Sequence, residues 1–344
     1  MQLQKMKNKV FIVAELSANH GSSIEIAKET VRAAKRAGAD AIKLQTYTAE
    51  TITLKSDKQD FLIKGGTIWD NQYLFDLYKE AFLPWEWHAE LFDLAKELGL
   101  VCFSSPFDTT AVDFLERLNN PIYKIASLEI TDIPLIEYIA KKGKPIIIST
   151  GIADYEDIKL AVDACRAQGN NDITLLKCTT AYPAPVEDAN LVMMNRLAKD
   201  FNVKVGLSDH TLGAVIPILS VGMGAQLIEK HFILSKDIGG PDASFSLDEN
   251  EFSEMVKAVR QAEKAVGIES YDLTQNQLNG RVFSRSLYVM EDISEGEVIS
   301  SENVKSIRPG YGLHPKFYKE ILGKKVSRNL EKGDRFEMDA VSKD

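Results

Sequence analysis

Cysteine is scarce in this sequence: Cys102, Cys165 and Cys178 are the only three in 344 residues, and no two of them stand in CxxC spacing. An odd, scattered set argues against a disulfide framework and against a thiolate zinc cage, so the three thiols are expected reduced and mostly buried. Long apolar runs are missing too. The first, Val10 to Ala14, is closed by Glu15 and is too short for a signal-peptide core, and no run approaches the roughly 20 residues of a membrane span. The chain is therefore expected in the cytoplasm. A basic excess is also absent: 50 Asp and Glu outweigh 41 Lys and Arg, for a net charge of −9. Such a field attracts neither nucleic acid nor an anionic membrane, although local lysines can still hold an anionic small molecule. No glycine-rich turn follows the first apolar run, where Glu15-Leu16-Ser17-Ala18-Asn19-His20-Gly21 stands instead. That weakens the case for a dinucleotide-binding open sheet.

What is present is alternation. From Val10 to about residue 267, eight short β-branched runs (Val10–Glu15, Ala41–Gln45, Val101–Pro106, Tyr123–Ser127, Pro145–Thr150, Thr174–Thr179, Lys204–Asp209 and Leu227–Phe232) are interleaved with amphipathic stretches. Among the latter, Ile24–Ala37, Ile133–Lys142, Ala153–Gln168 and Glu251–Val266 carry apolar residues at helical spacing. Eight βα units predict an α/β fold, a closed (β/α)8 TIM barrel, over residues 1–267. Residues 46–82 are too long for an ordinary βα connection and predict an insertion with its own short helix, placed where such loops cover substrate. Residues 268–283 are polar and turn-rich and are expected as a linker, followed by a small domain at 284–344. From Arg281 onward 12 Lys and Arg face 11 Asp and Glu, a balance of +1 that leaves −10 on the first 280 residues. A tail of that size is marginal alone and is expected to pack on a barrel or a partner subunit.

Barrel chemistry sits at the carboxyl ends of the strands, and there polar residues recur: Glu15, then Lys43 and Gln45, Ser104-Ser105, Lys124 with Ser127 and Glu129, Ser149-Thr150-Gly151, Thr179-Thr180 before Tyr182, Ser208-Asp209-His210, and Glu229-Lys230-His231. Lys43 and Lys124 lie in apolar runs, where a buried ammonium needs a counter-charge. A phosphate would serve, with hydroxyls of Ser127, Ser149 and Ser208 around it; internal pairing with Glu15 or Glu129 is the competing reading. His210 and His231 end adjacent strands, about 4.8 Å apart, and so can reach one divalent ion, Mn²⁺ or another borderline metal. His20 is expected to orient neighbours, His88 to pack, and Asp242 is either a turn residue or a carboxylate on the same rim.

These residues, in the stretches Ala14-Glu15-Leu16-Ser17-Ala18-Asn19-His20, Lys43-Leu44-Gln45-Thr46, Tyr123-Lys124-Ile125-Ala126-Ser127, Gly206-Leu207-Ser208-Asp209-His210 and Glu229-Lys230-His231-Phe232, resemble the sialic acid synthase family, and residues 281–344 resemble the antifreeze-like, or SAF, domain that follows the barrel there. Trp85-Glu86-Trp87-His88, Phe103-Ser104-Ser105-Pro106-Phe107 and Asp242-Ala243-Ser244-Phe245-Ser246-Leu247 are similar to the family's pseudaminic acid branch, with the sialic and legionaminic acid branches as alternatives. The resemblance implies a transferase that condenses phosphoenolpyruvate with an amino-sugar aldehyde, 2,4-diacetamido-2,4,6-trideoxy-L-altrose in that branch, with C–O cleavage. It implies Lys43, Lys124, Ser127, Ser149 and Ser208 on phosphoenolpyruvate, with Thr180 standing where relatives have an asparagine. It further implies His210 and His231 on Mn²⁺, with Mg²⁺ or Co²⁺ as substitutes, and Glu15, Gln45, Glu129, Tyr182 and Asp242 facing the sugar or its reacting centre. Glu129 is the first candidate for proton handling and Glu15 the second. Arg308 resembles the arginine that the terminal domain extends into the other subunit's barrel, which implies a domain-swapped homodimer. The rival classes are a metal hydrolase, which would need further metal ligands, and a non-catalytic sugar-binding protein.

Overall fold

Eight parallel strands close into a barrel in chain order, in a computed structural model that describes residues 9–343. They are β1 (Phe11–Glu15), β2 (Ala41–Thr46), β3 (Val101–Pro106), β4 (Tyr123–Ile125), β5 (Ile146–Ser149), β6 (Ile173–Cys178), β7 (Lys204–Asp209) and β8 (Leu227–His231). Each of the eight apolar runs supplies one strand, so the fold is the α/β barrel that the alternation predicts.

Side chains alternate across each strand, and this period of two writes the barrel's layers. Ile12, Ala14, Ile42, Leu44, Ile146 and Ile148 join the main core with the surrounding helices. The other parity forms a separate apolar cluster inside the barrel, from Phe11, Val13, Phe103, Ile147, Leu176 and Leu227. Gly206 belongs to this inner set. A Cβ there would lie 2.5 Å from the Leu227 carbonyl oxygen and 2.7 Å from Leu176 Cδ2, so only glycine lets β7 and β8 close at this level. One step further along the same parity the inner residues become Glu15, Lys43, Lys124, Ser149, Ser208 and Glu229. The barrel is thus apolar at its base and charged at the carboxyl end of its strands.

Helix starts follow their caps. The helix Ile24–Arg36 begins at Ser23, whose side chain accepts from the Ile26 N–H. Glu249–Val266 begins two residues before its expected start, because Asp248 forms a capping box with Glu251. β4 ends earlier than the expected Ser127: Ser127–Glu129 winds into a 3₁₀ turn, with the Glu129 N–H donating to the Ala126 carbonyl at 3.2 Å.

The insertion after β2 contains the short helices Ala49–Ile52 and Leu74–Ala81 and an antiparallel bridge between Leu62 and Tyr73. Asp70 accepts from the N–H groups of Gly66 and Thr67, both at 2.9 Å, and so fixes the turn that carries Trp69. The Trp69 indole N–H donates to the Pro241 carbonyl at 3.2 Å, which ties the insertion to the loop after β8.

The chain divides into two compact units, Met1–Gly267 and Ile268–Asp344. In the second unit β9 (Ser286–Val289) pairs antiparallel with β10 (Val304–Ile307), over a core of its own that includes Leu287, Val289, Ile293, Val304, Val326 and Phe336. Residues 275–283 form the short helix Gln275–Gly280 and the 3₁₀ turn Arg281–Phe283. All three cysteines are free and buried. Among the described residues no helix is long and apolar enough to cross a membrane.

Candidate active site

The strand ends gather four buried charges. Lys43 Nζ lies 2.7 Å from Glu15 Oε1 and 3.2 Å from Glu229 Oε1, and Lys124 Nζ lies 3.2 Å from that same Glu229 oxygen. Every one of these side chains is at most 4% exposed. The internal Lys–Glu pairing weighed for the lysines therefore holds for Lys43, which has two carboxylates, but Glu229 rather than Glu129 is the second partner. Lys124 has only a share of one carboxylate oxygen. Burial accordingly holds its ammonium below the ordinary lysine range, with Glu229 offsetting only part of the effect and Lys43 adding to it. Burial works against Glu15 and Glu229 as anions, yet the lysines around them outweigh it and keep both carboxyls below their usual range. Two cations and two anions make the cluster neutral, with Lys124 its least compensated member.

Above this layer stand two imidazoles, their ring centroids 5.2 Å apart. His210 Nδ1 lies 2.9 Å from the Thr179 carbonyl oxygen; a carbonyl can only accept, so Nδ1 carries a proton. His231 has Asp242 Oδ2 at 3.5 Å from Nδ1 and Glu15 Oε2 at 3.4 Å from Nε2. An acceptor behind a ring nitrogen is the usual support of a metal-ligating histidine. Among the described residues no three His, Cys, Asp or Glu side chains already converge on one metal position. The two neighbouring imidazoles, with a carboxylate beside one of them, are donors that could take a divalent ion.

Gln45 donates to Glu15 Oε1 at 2.9 Å and to Ser17 Oγ at 3.0 Å, and Ser17 donates to Asp242 Oδ2 at 2.5 Å. Asp242 is thus a buried carboxylate beside His231 rather than a plain turn residue. Ser17 reaches it from a left-handed backbone with φ of 48°, an uncommon conformation outside glycine. Ser208 donates to Glu229 at 3.0 Å. Ser127 accepts from the Gly151 N–H at 3.0 Å, and a Cβ on Gly151 would fall 2.0 Å from Thr180 Oγ1. Gly151 therefore makes room for the Thr180 hydroxyl beside Ser127. The hydroxyls of Ser149 and Thr180 are buried without a partner, as is Glu129 Oε2; such groups are rare unless something else meets them. Burial pushes the Glu129 carboxyl up to about 7, with Lys124 offsetting part of the rise.

Twelve of the fourteen residues singled out from the sequence line one cavity of about 310 Å³ in the barrel mouth; Thr180 and Arg308 are the exceptions. Arg308 is exposed in the second unit, just after β10. His20 and His88 sit outside the cavity: His20 accepts from the Ser22 N–H and packs edge-on against Trp87, and His88 is fully buried beside Thr46 at 2.8 Å.

Glu229, noted among the polar strand ends without a role, lines the cavity, and so do Cys178 and Trp69. Glu229 was legible by parity, since it shares the inner face of β8 with Leu227 and His231. Burial pushes the Cys178 thiol up, but the neighbouring His210 and Ser127 draw it down to about 7. Trp69 lines the cavity beside the predicted Tyr182, their ring centroids 5.4 Å apart, and Phe245, outside the lining, packs on Tyr182 at 5.1 Å. No local pattern links them, because they come from three separate loops.

A parallel barrel whose strand ends bring buried lysines, imidazoles and a near-neutral carboxyl to one cavity defines a (β/α)8-barrel enzyme. Residues 30–271 match the NeuB family and residues 284–338 the SAF domain. The chain is 52% identical over 326 residues to a pseudaminic acid synthase of Campylobacter jejuni subsp. jejuni serotype O:23/36 (strain 81-176), covering 95% of each chain. It is 50% identical to a pseudaminic acid synthase of Helicobacter pylori (strain ATCC 700392 / 26695), covering 96% of this chain and 98% of that one. Among solved structures, an N-acetylneuraminic acid (sialic acid) synthetase from Leptospira borgpetersenii serovar Hardjo-bovis in complex with citrate is similar, with a TM-score of 0.71 and 28% identity over 79% of this chain and 90% of that one. The chain belongs to the NeuB family.

Proposed function

We propose that this enzyme condenses phosphoenolpyruvate with 2,4-diacetamido-2,4,6-trideoxy-L-altrose, giving the nonulosonic acid pseudaminic acid and phosphate. The observation that carries the reading is Lys124, a buried ammonium with a share of one carboxylate oxygen at 3.2 Å, in a cavity where the Ser149 hydroxyl is unspent, with a second unspent hydroxyl on Thr180 beside Ser127. An anion with several acceptor oxygens satisfies all three. Identity of 52% and 50% along nearly the full length of two pseudaminic acid synthases supports the sugar.

In this mechanism Lys43 and Lys124 hold the phosphate and carboxylate of phosphoenolpyruvate, with hydroxyls of Ser127, Ser149, Thr180 and Ser208 donating to them. Gln45, Tyr182 and Asp242 orient the open-chain sugar so that its aldehyde carbon faces C3 of the enol. His210 and His231 would hold a divalent ion, Mn²⁺ first and Mg²⁺ or Co²⁺ in its place, which when bound supplies a Lewis acid for the aldehyde oxygen. A C–C bond forms between enol C3 and the aldehyde carbon, whose oxygen takes up a proton. Water adds at C2 and gives up a proton. The C2–O bond to phosphorus-bound oxygen then breaks, with its electron pair leaving on phosphate, and the C2 hydroxyl becomes the ketone.

Glu129 suits the proton taken from that water better than Glu15 does. The Glu15 carboxylate is engaged by Lys43 and Gln45, whereas Glu129 has a free oxygen and a pKa near 7, where a general base works well. kcat/KM is expected to rise with pH through about 7 as Glu129 ionises. In Glu129→Gln that limb disappears and the rate falls by about 10²- to 10⁴-fold; a pH profile unchanged in the variant would assign the proton to another group. The sign for stability is opposite. Because the folded carboxyl titrates above its ordinary 4.5, the wild type loses stability as pH rises from about 4.5 through about 7, and the glutamine variant loses less.

The reading also places the enzyme in the cytoplasm as a domain-swapped homodimer, with Arg308 of each chain reaching the sugar in the other barrel. Phosphate release from phosphoenolpyruvate offered with the altrose derivative, with N-acetylmannosamine and with the legionaminic acid precursor tests the function. Selective release with the altrose derivative supports it. Release with another sugar alone moves the enzyme to that branch, and release with none overturns the synthase.

A further inference from the structure

The two imidazoles at the mouth are joined by a structure on the other face of the sheet. Asp209 and Lys230 are register partners on β7 and β8, and strand alternation turns both side chains away from the cavity that the next residues, His210 and His231, line. Lys230 Nζ lies 2.5 Å from Asp209 Oδ2, and the two side chains are 0% and 2% exposed. The same ammonium donates to the Thr211 carbonyl. Asp209 in turn accepts from the Thr211 N–H at 3.0 Å and from the Thr211 hydroxyl at 3.1 Å. One lysine adjoining His231 therefore grips the chain on both sides of His210.

A buried ion pair returns little net stability, because desolvating both charges offsets their attraction, and apolar residues of similar size often serve as well. Stability alone does not account for a charged pair between barrel and helices. What the pair does set is geometry: it fixes the turn Asp209-His210-Thr211 against the end of β8. Resting on the metal reading above, we infer that Asp209 and Lys230 are positioning residues that hold His210 and His231 at the spacing needed to share one divalent ion. Neither touches substrate or ion.

The double variant D209N/K230M removes both charges, leaves an acceptor for the Thr211 N–H, and strands no lone buried charge. Its melting temperature and its affinity for Mn²⁺ alone, by calorimetric titration of metal-free protein, are measured beside wild type. A folded variant is expected to bind Mn²⁺ about 10- to 100-fold more weakly, the usual cost of losing support behind metal ligands. Mn²⁺ affinity within about twofold of wild type in the folded variant overturns the inference, since a merely structural pair would shift only melting. If the double variant does not fold, Thr211→Val, which deletes one donor to Asp209 and keeps its own shape, decides instead. Weaker Mn²⁺ binding supports the inference and unchanged binding overturns it. A wild type that binds no Mn²⁺ is a different result, and removes the metal reading together with this inference.

Discussion

Replacing His231 by alanine is expected to lower turnover at saturating substrates by about 10³-fold or more, because a Lewis acid at the reacting oxygen is worth several kcal/mol and each 1.4 kcal/mol is a factor of ten. His231 stands at the last position of β8, with Asp242 and Glu15 carboxylate oxygens at 3.5 and 3.4 Å from its two ring nitrogens. Its removal leaves His210 as the single imidazole in the cavity, and one neutral nitrogen holds a divalent ion poorly. The fold does not depend on it: the apolar cluster inside the barrel lies at the other end of the strands, and the Lys230 and Asp209 pair is untouched. Circular dichroism and melting should therefore stay close to wild type while metal-dependent turnover is lost, and His210→Ala should behave alike. Full activity in either variant would remove the metal from the proposal.

Lys124→Ala is expected to raise the KM for phosphoenolpyruvate by about 10- to 150-fold, the equivalent of a hydrogen bond to a charged group at about 1.5–3 kcal/mol. The KM for the sugar should move far less. Breaking a buried ion pair costs about 3–5 kcal/mol when the remaining charge is stranded. Here Glu229 keeps Lys43 at 3.2 Å and the Ser208 hydroxyl at 3.0 Å, so the loss of stability should be smaller. Steady-state kinetics with each substrate varied in turn separates the two effects. An unchanged phosphoenolpyruvate KM would mean that Lys124 serves only to neutralise Glu229.

The barrel was legible because its signal is periodic. Each strand combines a short β-branched run with a polar residue at its carboxyl end, and eight such units in succession leave little room for another fold. The helix Val215–Gly222 was not, since Val-Ile-Pro-Ile-Leu-Ser-Val-Gly is apolar nearly all round and shows no polar face to set a helical period. The mouth was legible where strand ends supplied it. Glu229 and Lys230 show the limit: side by side in sequence, one faces the two lysines of the cavity and the other is buried behind the sheet, and only the parity of β8 separates them. Trp69 and Phe245 were beyond reach for a different reason. They meet Tyr182 through loops 46–82 and 239–248, whose paths depend on tertiary contacts such as the hydrogen bond from Trp69 to Pro241.

The central chemical claim is a new carbon–carbon bond with phosphate leaving by C–O cleavage. Mass spectrometry of the products from phosphoenolpyruvate labelled with ¹⁸O at the oxygen bridging carbon and phosphorus, mixed with the altrose derivative and Mn²⁺, tests it in one experiment. The expected result is an unlabelled nonulosonic acid and inorganic phosphate carrying the label. Label retained in the sugar acid, or phosphate released with no condensed product, would contradict it.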